Sequence, residues 1–362
     1  MIDFVKLWSE AYIALEAGQP VAATPVAFDP GALDRAAAGD LDAPGPTPAL
    51  LDLASELPIA RYDWWASASG APTWAAQAVA LPPELGADAI GQLGRPLPWA
   101  DWDAGRPCGQ KFIFFSADEV HAIWQTQTST LGSPSSSTVR ASRLSHLDTL
   151  VAHVWTLVCR ARAAVSADDE TPPTPTTSRL YYTLDARSRL GPSTLPPSFV
   201  GSPIILAEVA TPTADLLDTA SSSGAFAQQI RSTLSAFDPA RTAAHLHALC
   251  HATAAQRTWD AFLGVGHGIF TSWTRQAVFG IGFGGGPPAW VGPVMPCMDG
   301  IVQVTELGSG QSGDWWADGV AVSISLEQGA LDRLVADEDA LRGRPPSARG
   351  RPASGVSHPR SR

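Results

Sequence analysis

Apolar residues recur at helical spacing from Ile2 onward, which places Phe4, Val5, Trp8, Ala11, Tyr12 and Leu15 on one stripe and predicts a helix over 2–17. Gly18 and Pro20 stop it. Its start has no Ser, Thr, Asp or Asn cap, which fits either a fraying terminus or a chain that begins inside a longer structural element. Residues 19–60, rich in Pro, Ala, Gly and Asp, read as an irregular excursion with short helical pieces. The stretch 61–102 is dense in tryptophan (Trp64, Trp65, Trp74, Trp99, Trp102), a pattern of core or inter-domain packing more than of a ligand platform. Recurrent Gly and Pro over 85–110 suit an inter-domain crossing.

The periodicity sharpens beyond this point. Lys111–Phe115, Leu180–Asp185 and Pro203–Val209 read as strands, as do 268–273, 276–282, 300–305 and 319–325. Ser145 and Asp148 have capping-box spacing and open a helix whose apolar face is Leu147, Leu150, Val151, Val154, Trp155 and Val158. Residues 165–178 read as a mobile loop, a helix is expected from about Ala240 to Phe262, and an amphipathic helix closes the body over Leu326–Leu341. Strands and helices interleave without a regular βαβ rhythm, so the expected class is α/β with a mixed sheet.

Composition narrows the function classes. Apolar residues make up 45% and charged residues 16%, the signature of a globular body. The net charge of −11 disfavours phosphate-backbone binding, so no nucleic-acid partner is expected. The segment 342–362 carries six arginines and no acid, and reads as a disordered basic tail. Cys108, Cys159, Cys250 and Cys297 are far apart, without a CxxC pair or a disulfide framework. No apolar run reaches bilayer length and the N-terminus is not a signal peptide, so a cytoplasmic protein without a membrane partner is expected.

Several motifs point away from familiar chemistries. Gly280 to Gly285 matches G-x-G-x-x-G, but Pro287, Pro288 and Pro293 follow where a dinucleotide site needs a helix N-terminus. His245, His247, Cys250 and His251 cluster on one helical segment, with His247 and His251 at i, i+4. No HExxH glutamate accompanies them, and no metal site is expected. Neither Ser309 nor Ser312 sits in G-x-S-x-G, and Ser133–Ser137 reads as loop.

The informative stretches lie in order along the chain. They are Ser145–Ala163, Leu184-Asp-Ala-Arg-Ser-Arg-Leu190, Leu195-Pro-Pro, Phe199-Val-Gly-Ser202 and Phe270-Thr-Ser-Trp-Thr-Arg275, then Ala277 to Val291 and Asp314-Trp315 through Leu331. Together they resemble the BAHD-type acyl-CoA-dependent acyltransferases of plants and fungi. Met1–Pro20 and Tyr62-Asp-Trp-Trp65 resemble segments of that family's first half. The resemblance implies a two-domain, mixed-sheet CoA-dependent acyltransferase fold with its N-terminal domain incomplete. Residues 1–84 would be a remnant of that domain, 85–110 the crossover and 111–341 the C-terminal domain. It implies a monomeric enzyme of specialised metabolism, with no bound cofactor, acyl-CoA as co-substrate and a small alcohol or amine as acceptor.

Two departures qualify the resemblance. None of the eight histidines has Asp four residues later, so the family's H-x-x-x-D base is missing and is expected to lie upstream of Met1. Without a base the chain alone is expected to be nearly inactive, since general-base catalysis typically contributes roughly 10²–10⁴-fold. His267 is the nearest substitute, and Thr271, Ser272 and Trp273 are the residues expected to face the channel. Gly282, Phe283, Gly284, Gly285 and Gly286 stand where the family carries D-F-G-W-G. The aspartate that the family ion-pairs with a distant arginine is therefore replaced by Gly282. Among the structural positions Asp185, Arg187 and Arg189, one arginine is expected to lack its partner. A shortened, non-catalytic chain that binds CoA or a protein is the alternative reading.

Overall fold

The structure is a computed structural model that describes residues 2–22, 28–83, 85, 94–99, 105–130, 144–168, 174–196, 198–218, 222–292, 294–308 and 314–343. The chain begins with α1 (Ile2–Glu16), α2 (Ala32–Ala36), α3 (Pro48–Ser55) and the two-residue β1 (Tyr62–Asp63). Then come β2 (Cys108–Phe115), α4 (Ala117–Thr130), α5 (His146–Asp168), β3 (Thr177–Asp185), α6 (Arg187–Leu190) and β4 (Ile204–Pro212). They are followed by α7 (Thr213–Leu217), α8 (Ser222–Ser235), α9 (Pro239–Cys250), β5 (Thr258–Trp259) and β6 (His267–Trp273). The described chain closes with β7 (Ile301–Glu306), β8 (Val320–Glu327), α10 (Gln328–Ala336) and α11 (Glu338–Leu341).

Six strands form one mixed sheet in the order β2-β8-β7-β6-β3-β4, and β1 pairs with β5 in a separate ribbon. The β3–β6 and β6–β7 pairs are parallel, and the remaining pairs of the large sheet are antiparallel. Alternation along each strand sends Phe270, Val302, Val304, Val322 and Ile324 to one face, where they meet α5 in the main core. The predicted α5 stripe is what fills this interface: Leu150, Val151, Val154, Trp155 and Val158 are all buried. The capping box forms as expected. Asp148 N–H donates to Ser145 Oγ at 3.2 Å and Ser145 N–H to Asp148 Oδ2 at 2.7 Å. Arg231 of α8 also donates to Asp148 Oδ2, which ties the start of α5 to α8.

Gly268 lets the largest buried side chain of α5 lie against β6. A Cβ there would stand 2.3 Å from Trp155 Cη2 and 2.9 Å from the Gly300 carbonyl oxygen. Trp155 Nε1 instead donates to Ser178 Oγ at 3.0 Å.

Several boundaries differ from the sequence expectation. The strand expected over 276–282 is absent, and Val278–Gly280 is a 3₁₀ turn between the left-handed residue Ala277 and the glycine-rich segment. The helix expected to reach Phe262 ends at Cys250, because Ala254 takes a left-handed conformation and the chain turns into β5. The closing helix starts two residues late, since β8 runs through Glu327, whose carboxylate then caps α10 by accepting from Gly329 and Ala330 N–H. It breaks at Asp337, which caps α11. Residues 165–168 continue α5 and 177–178 begin β3, so the expected loop is shorter than 165–178; residues 169–173 lie outside the described residues. So do Trp102, Ser133–Ser137, Ser309, Ser312 and the tail from 344.

Among the described residues the apolar stripe of α1 is largely exposed. Phe4, Trp8 and Leu15 are 68%, 57% and 67% exposed, and the one buried residue of the helix is Ser9.

Candidate functional site

The sheet face away from α5 is chemically different. On β6 it carries His267, Ile269, Thr271 and Trp273, on β7 Ile301, Gln303 and Thr305, on β8 Ala321, Ser323 and Ser325, and on β2 Gln110, Phe112 and Phe114. The ladder register aligns Thr271, Gln303, Ser323 and Phe112 across four strands. The next row is Trp273, Thr305, Ala321 and Phe114.

This face is buried yet polar. Gln303, Thr305, Ser323 and Ser325 are at most 4% exposed. Gln110 Nε2 donates to Ser323 Oγ at 2.8 Å and Gln303 Nε2 to Thr305 Oγ1 at 3.3 Å. Among the described residues, the Gln303 side-chain amide oxygen and the Ser325 hydroxyl have no hydrogen-bond partner. Each such group costs about 1–3 kcal/mol if left dry, so the row presents unused hydrogen-bonding capacity to whatever lies on it.

The expected channel residues therefore divide. Thr271 and Trp273 point onto the polar face. Ser272 alternates to the opposite side, where its hydroxyl lies 2.8 Å from Thr274 Oγ1.

His267 begins the same strand, roughly 13 Å from Thr271 at strand rise. Its Nδ1 lies 2.9 Å from Tyr181 Oη, which is 2.6 Å from Tyr62 Oη. Its ring stacks on Tyr181 and meets Phe262 and Tyr62 edge-on. Burial pushes the His267 imidazole down to about 4, helped by the positive charges of Arg179 and Arg162. Burial likewise pushes the Tyr181 phenol up, so it keeps its proton. The ring is neutral near pH 7, but it sits in an aromatic box well away from Thr271. The geometry does not bring the substitute base together with the expected channel residues.

Gly282 to Gly286 form a tight turn against α1 instead of a strand. Ser9 Oγ donates to the Gly282 carbonyl and accepts from Gly282 N–H, while Trp8 and Tyr12 pack edge-on around Phe283. Gly284 and Gly286 have φ of +83° and +92°, and a Cβ on Gly282 would come within 2.9 Å of the Gly286 carbonyl oxygen. An aspartate at 282 would have to displace this turn. Gly285 has open space around it.

The expectation that an arginine is left without a partner is corrected for Arg187. It pairs with Asp185 at 3.0 Å and donates to the Phe199 and Gly201 carbonyls at 2.8 and 2.9 Å. Arg189 donates to the Leu234 carbonyl at 3.1 Å. Local groups thus take up both guanidinium groups, although each Nε is buried without a partner among the described residues.

In the histidine cluster, Thr47 N–H donates to His247 Nε2 at 2.9 Å, which commits the nitrogen lone pair a metal would need. The His251 ring lies 4.6 Å away. Burial holds His245 down to about 4.

Comparisons with known proteins converge on one family. The chain is 23% identical over 345 residues to Acyltransferase AFT15-1 of Alternaria alternata, covering 93% of this chain and 60% of that protein. It is 30% identical over 167 residues to Putrescine hydroxycinnamoyltransferase 1 of Oryza sativa subsp. japonica, covering 44% of this chain and 36% of that one. Its fold resembles the crystal structure of F. graminearum TRI101 complexed with coenzyme A and deoxynivalenol. There the TM-score is 0.53 and the identity 18%, over 66% of this chain and 50% of that one. The F. sporotrichioides TRI101 complex with coenzyme A and T-2 gives a TM-score of 0.51 at 19% identity, over 66% of this chain and 51% of that one. The chain thus spans 60% of the length of the Alternaria relative and about half that of the structural neighbours. The α/β fold with a mixed sheet is the expected one. Residues 109–341 match the model of the Transferase family, and the chain belongs to this family of BAHD-type acyltransferases.

Proposed function

We propose that this chain is the acyl-CoA-binding part of an acyltransferase that moves an acyl group from CoA to a hydroxyl or amine of a small metabolite. The observation that carries the proposal is the buried polar row Thr271–Gln303–Ser323, with its unpaired carbonyl and the neighbouring unpaired Ser325 hydroxyl. An extended thioester arm with amide groups would satisfy such a row, and Thr271 and Trp273 would border the reacting carbonyl. The TRI101 neighbours hold CoA with a mycotoxin, and the rice relative is named for putrescine, which supports an alcohol or an amine as acceptor. We take the protein as a cytoplasmic monomer of fungal specialised metabolism. The acidic body and the similarity to the Alternaria acyltransferase support that reading.

His267 favours a second reading, in which the chain binds acyl-CoA without turning it over. The ring that would act as base is enclosed by Tyr62, Tyr181 and Phe262. Calorimetry with acetyl-CoA and an assay of CoA release with alcohols and amines separate the two readings. Binding that Thr271→Val weakens supports the site. CoA release that depends on the acceptor supports catalysis by this chain, and binding without release supports the second reading. Absence of binding would remove both.

A further inference from the structure

Cys108 opens the edge strand β2, and Cys297 belongs to the connection between β6 and β7. The Cys297 thiol donates to the Cys108 carbonyl at 3.3 Å, and the Cys108 thiol turns to the Arg106 carbonyl at 3.6 Å. Standard bond lengths then keep the two Cα atoms within roughly 9 Å of each other. A disulfide needs about 4.4–6.8 Å.

Cys108 is fixed by the β2–β8 ladder, so any approach comes from Cys297. Cys297 is exposed, in irregular backbone next to the fully exposed Val294. The same connection already lies along β2, where Trp290 packs edge-on against Phe112 and Phe114 at 5.3 and 5.6 Å. Two free thiols far apart in sequence are thus held side by side by an apolar contact that does not involve them.

We propose that Cys108 and Cys297 form a reversible modification site that takes its oxidising equivalent from a small disulfide such as oxidised glutathione. The exposed Cys297 loses its proton and attacks one sulfur of that disulfide, forming a mixed disulfide and releasing one glutathione thiolate, which takes up the proton. Cys108 then loses its proton and attacks the Cys297 sulfur, expelling the second glutathione. The chain loses two hydrogens and one glutathione disulfide becomes two thiols. Burial, with Asp299 and Cys297 nearby, holds the Cys108 thiol above its usual range, which makes it the poorer first nucleophile and leaves that step to the exposed Cys297. The bond ties the β6–β7 connection to the edge of the polar sheet face. Cys159 does not compete, because it is buried beside Ser178 and pushed up to about 11.

The test uses the full chain with Cys250→Ser, which removes the other exposed thiol. It is incubated with oxidised glutathione and read by intact mass and a non-reducing peptide map. The expected product lacks two hydrogens, joins the Cys108 and Cys297 peptides and reverts with dithiothreitol. Cys297→Ser is expected to abolish the cross-link, and Cys108→Ser to leave one glutathione retained on Cys297. A stable glutathione adduct on Cys297 with Cys108 intact, a cross-link to Cys159, or two unreacted thiols would each overturn the proposal.

Discussion

The Glu306 carboxylate accepts the backbone N–H of Arg275 at 2.5 Å, joining the end of β7 to the turn that follows β6. Its other oxygen accepts from Ala277 N–H, also at 2.5 Å. Arg275 and Ala277 are both left-handed, with φ of 63° and 49°, a conformation that costs a non-glycine residue roughly 1–2 kcal/mol. One buried carboxylate holds a strained turn directly between Trp273 and the glycine segment. The segment that lacks an aspartate at 282 is anchored from a neighbouring strand instead. Glu306→Gln turns one acceptor into an N–H facing an N–H, and is expected to cost about 1–3 kcal/mol. Urea denaturation measures the loss, and trypsin should cut faster after Arg275.

Gly268→Ala is expected to destabilise by about 3 kcal/mol, the upper end for overpacking, since its Cβ would meet both the Trp155 ring and the Gly300 backbone. Gly285→Ala, with open space around it, serves as the matched control and should change stability by less than about 0.5 kcal/mol. Paired urea melts of the two variants check both expectations.

Acid should destabilise the fold through the buried His267 and the half-buried His245. His267 and His245 are held down to about 4 in the folded chain, against an ordinary value near 6.5. Between those values the unfolded chain binds more protons, so stability is full above about pH 6.5 and falls as pH drops toward 4. Each histidine contributes about 3 kcal/mol across that window. His267→Gln should flatten the slope of stability against pH by roughly one histidine's share, measured by urea melts at pH 4.5, 5.5 and 7.

Gln303 should show opposite effects on stability and binding. Replacing its buried amide, whose oxygen has no partner among the described residues, by an apolar side chain of similar size, Gln303→Leu, is expected to stabilise the free chain by about 1 kcal/mol. The same change should weaken acyl-CoA binding about tenfold, the loss of one hydrogen bond. Melts and calorimetry on one preparation provide both readings.

Much of this arrangement is visible in the sequence where local and tertiary demands agree. The Ser145–Asp148 box and the stripe from Leu147 to Val158 name α5 and its buried face together. The polar row could also have been found, because Ile-Val-Gln-Val-Thr-Glu and Val-Ala-Val-Ser-Ile-Ser alternate with period two and put Gln303, Thr305, Ser323 and Ser325 on one face. That α8 was not foreseen reflects weak flanking signals, although Phe226, Ala227, Ile230 and Leu234 make a helical stripe. The 276–282 turn was illegible for a different reason. Its conformation is imposed by Glu306, a residue 29 positions beyond Ala277 that no local pattern connects to it. The enclosure of His267 is equally non-local, since Tyr62 and Tyr181 come from distant strands.

Hydrogen–deuterium exchange of the whole chain with and without acetyl-CoA tests the acyl-CoA-binding site most directly. The polar face predicts slowed exchange on binding in β6 from Ile269 to Trp273 and in β7 from Ile301 to Glu306, with α9 unchanged. Protection confined to α9 or to the Tyr62–His267 cluster, or no protection at saturating acetyl-CoA, would contradict the assignment.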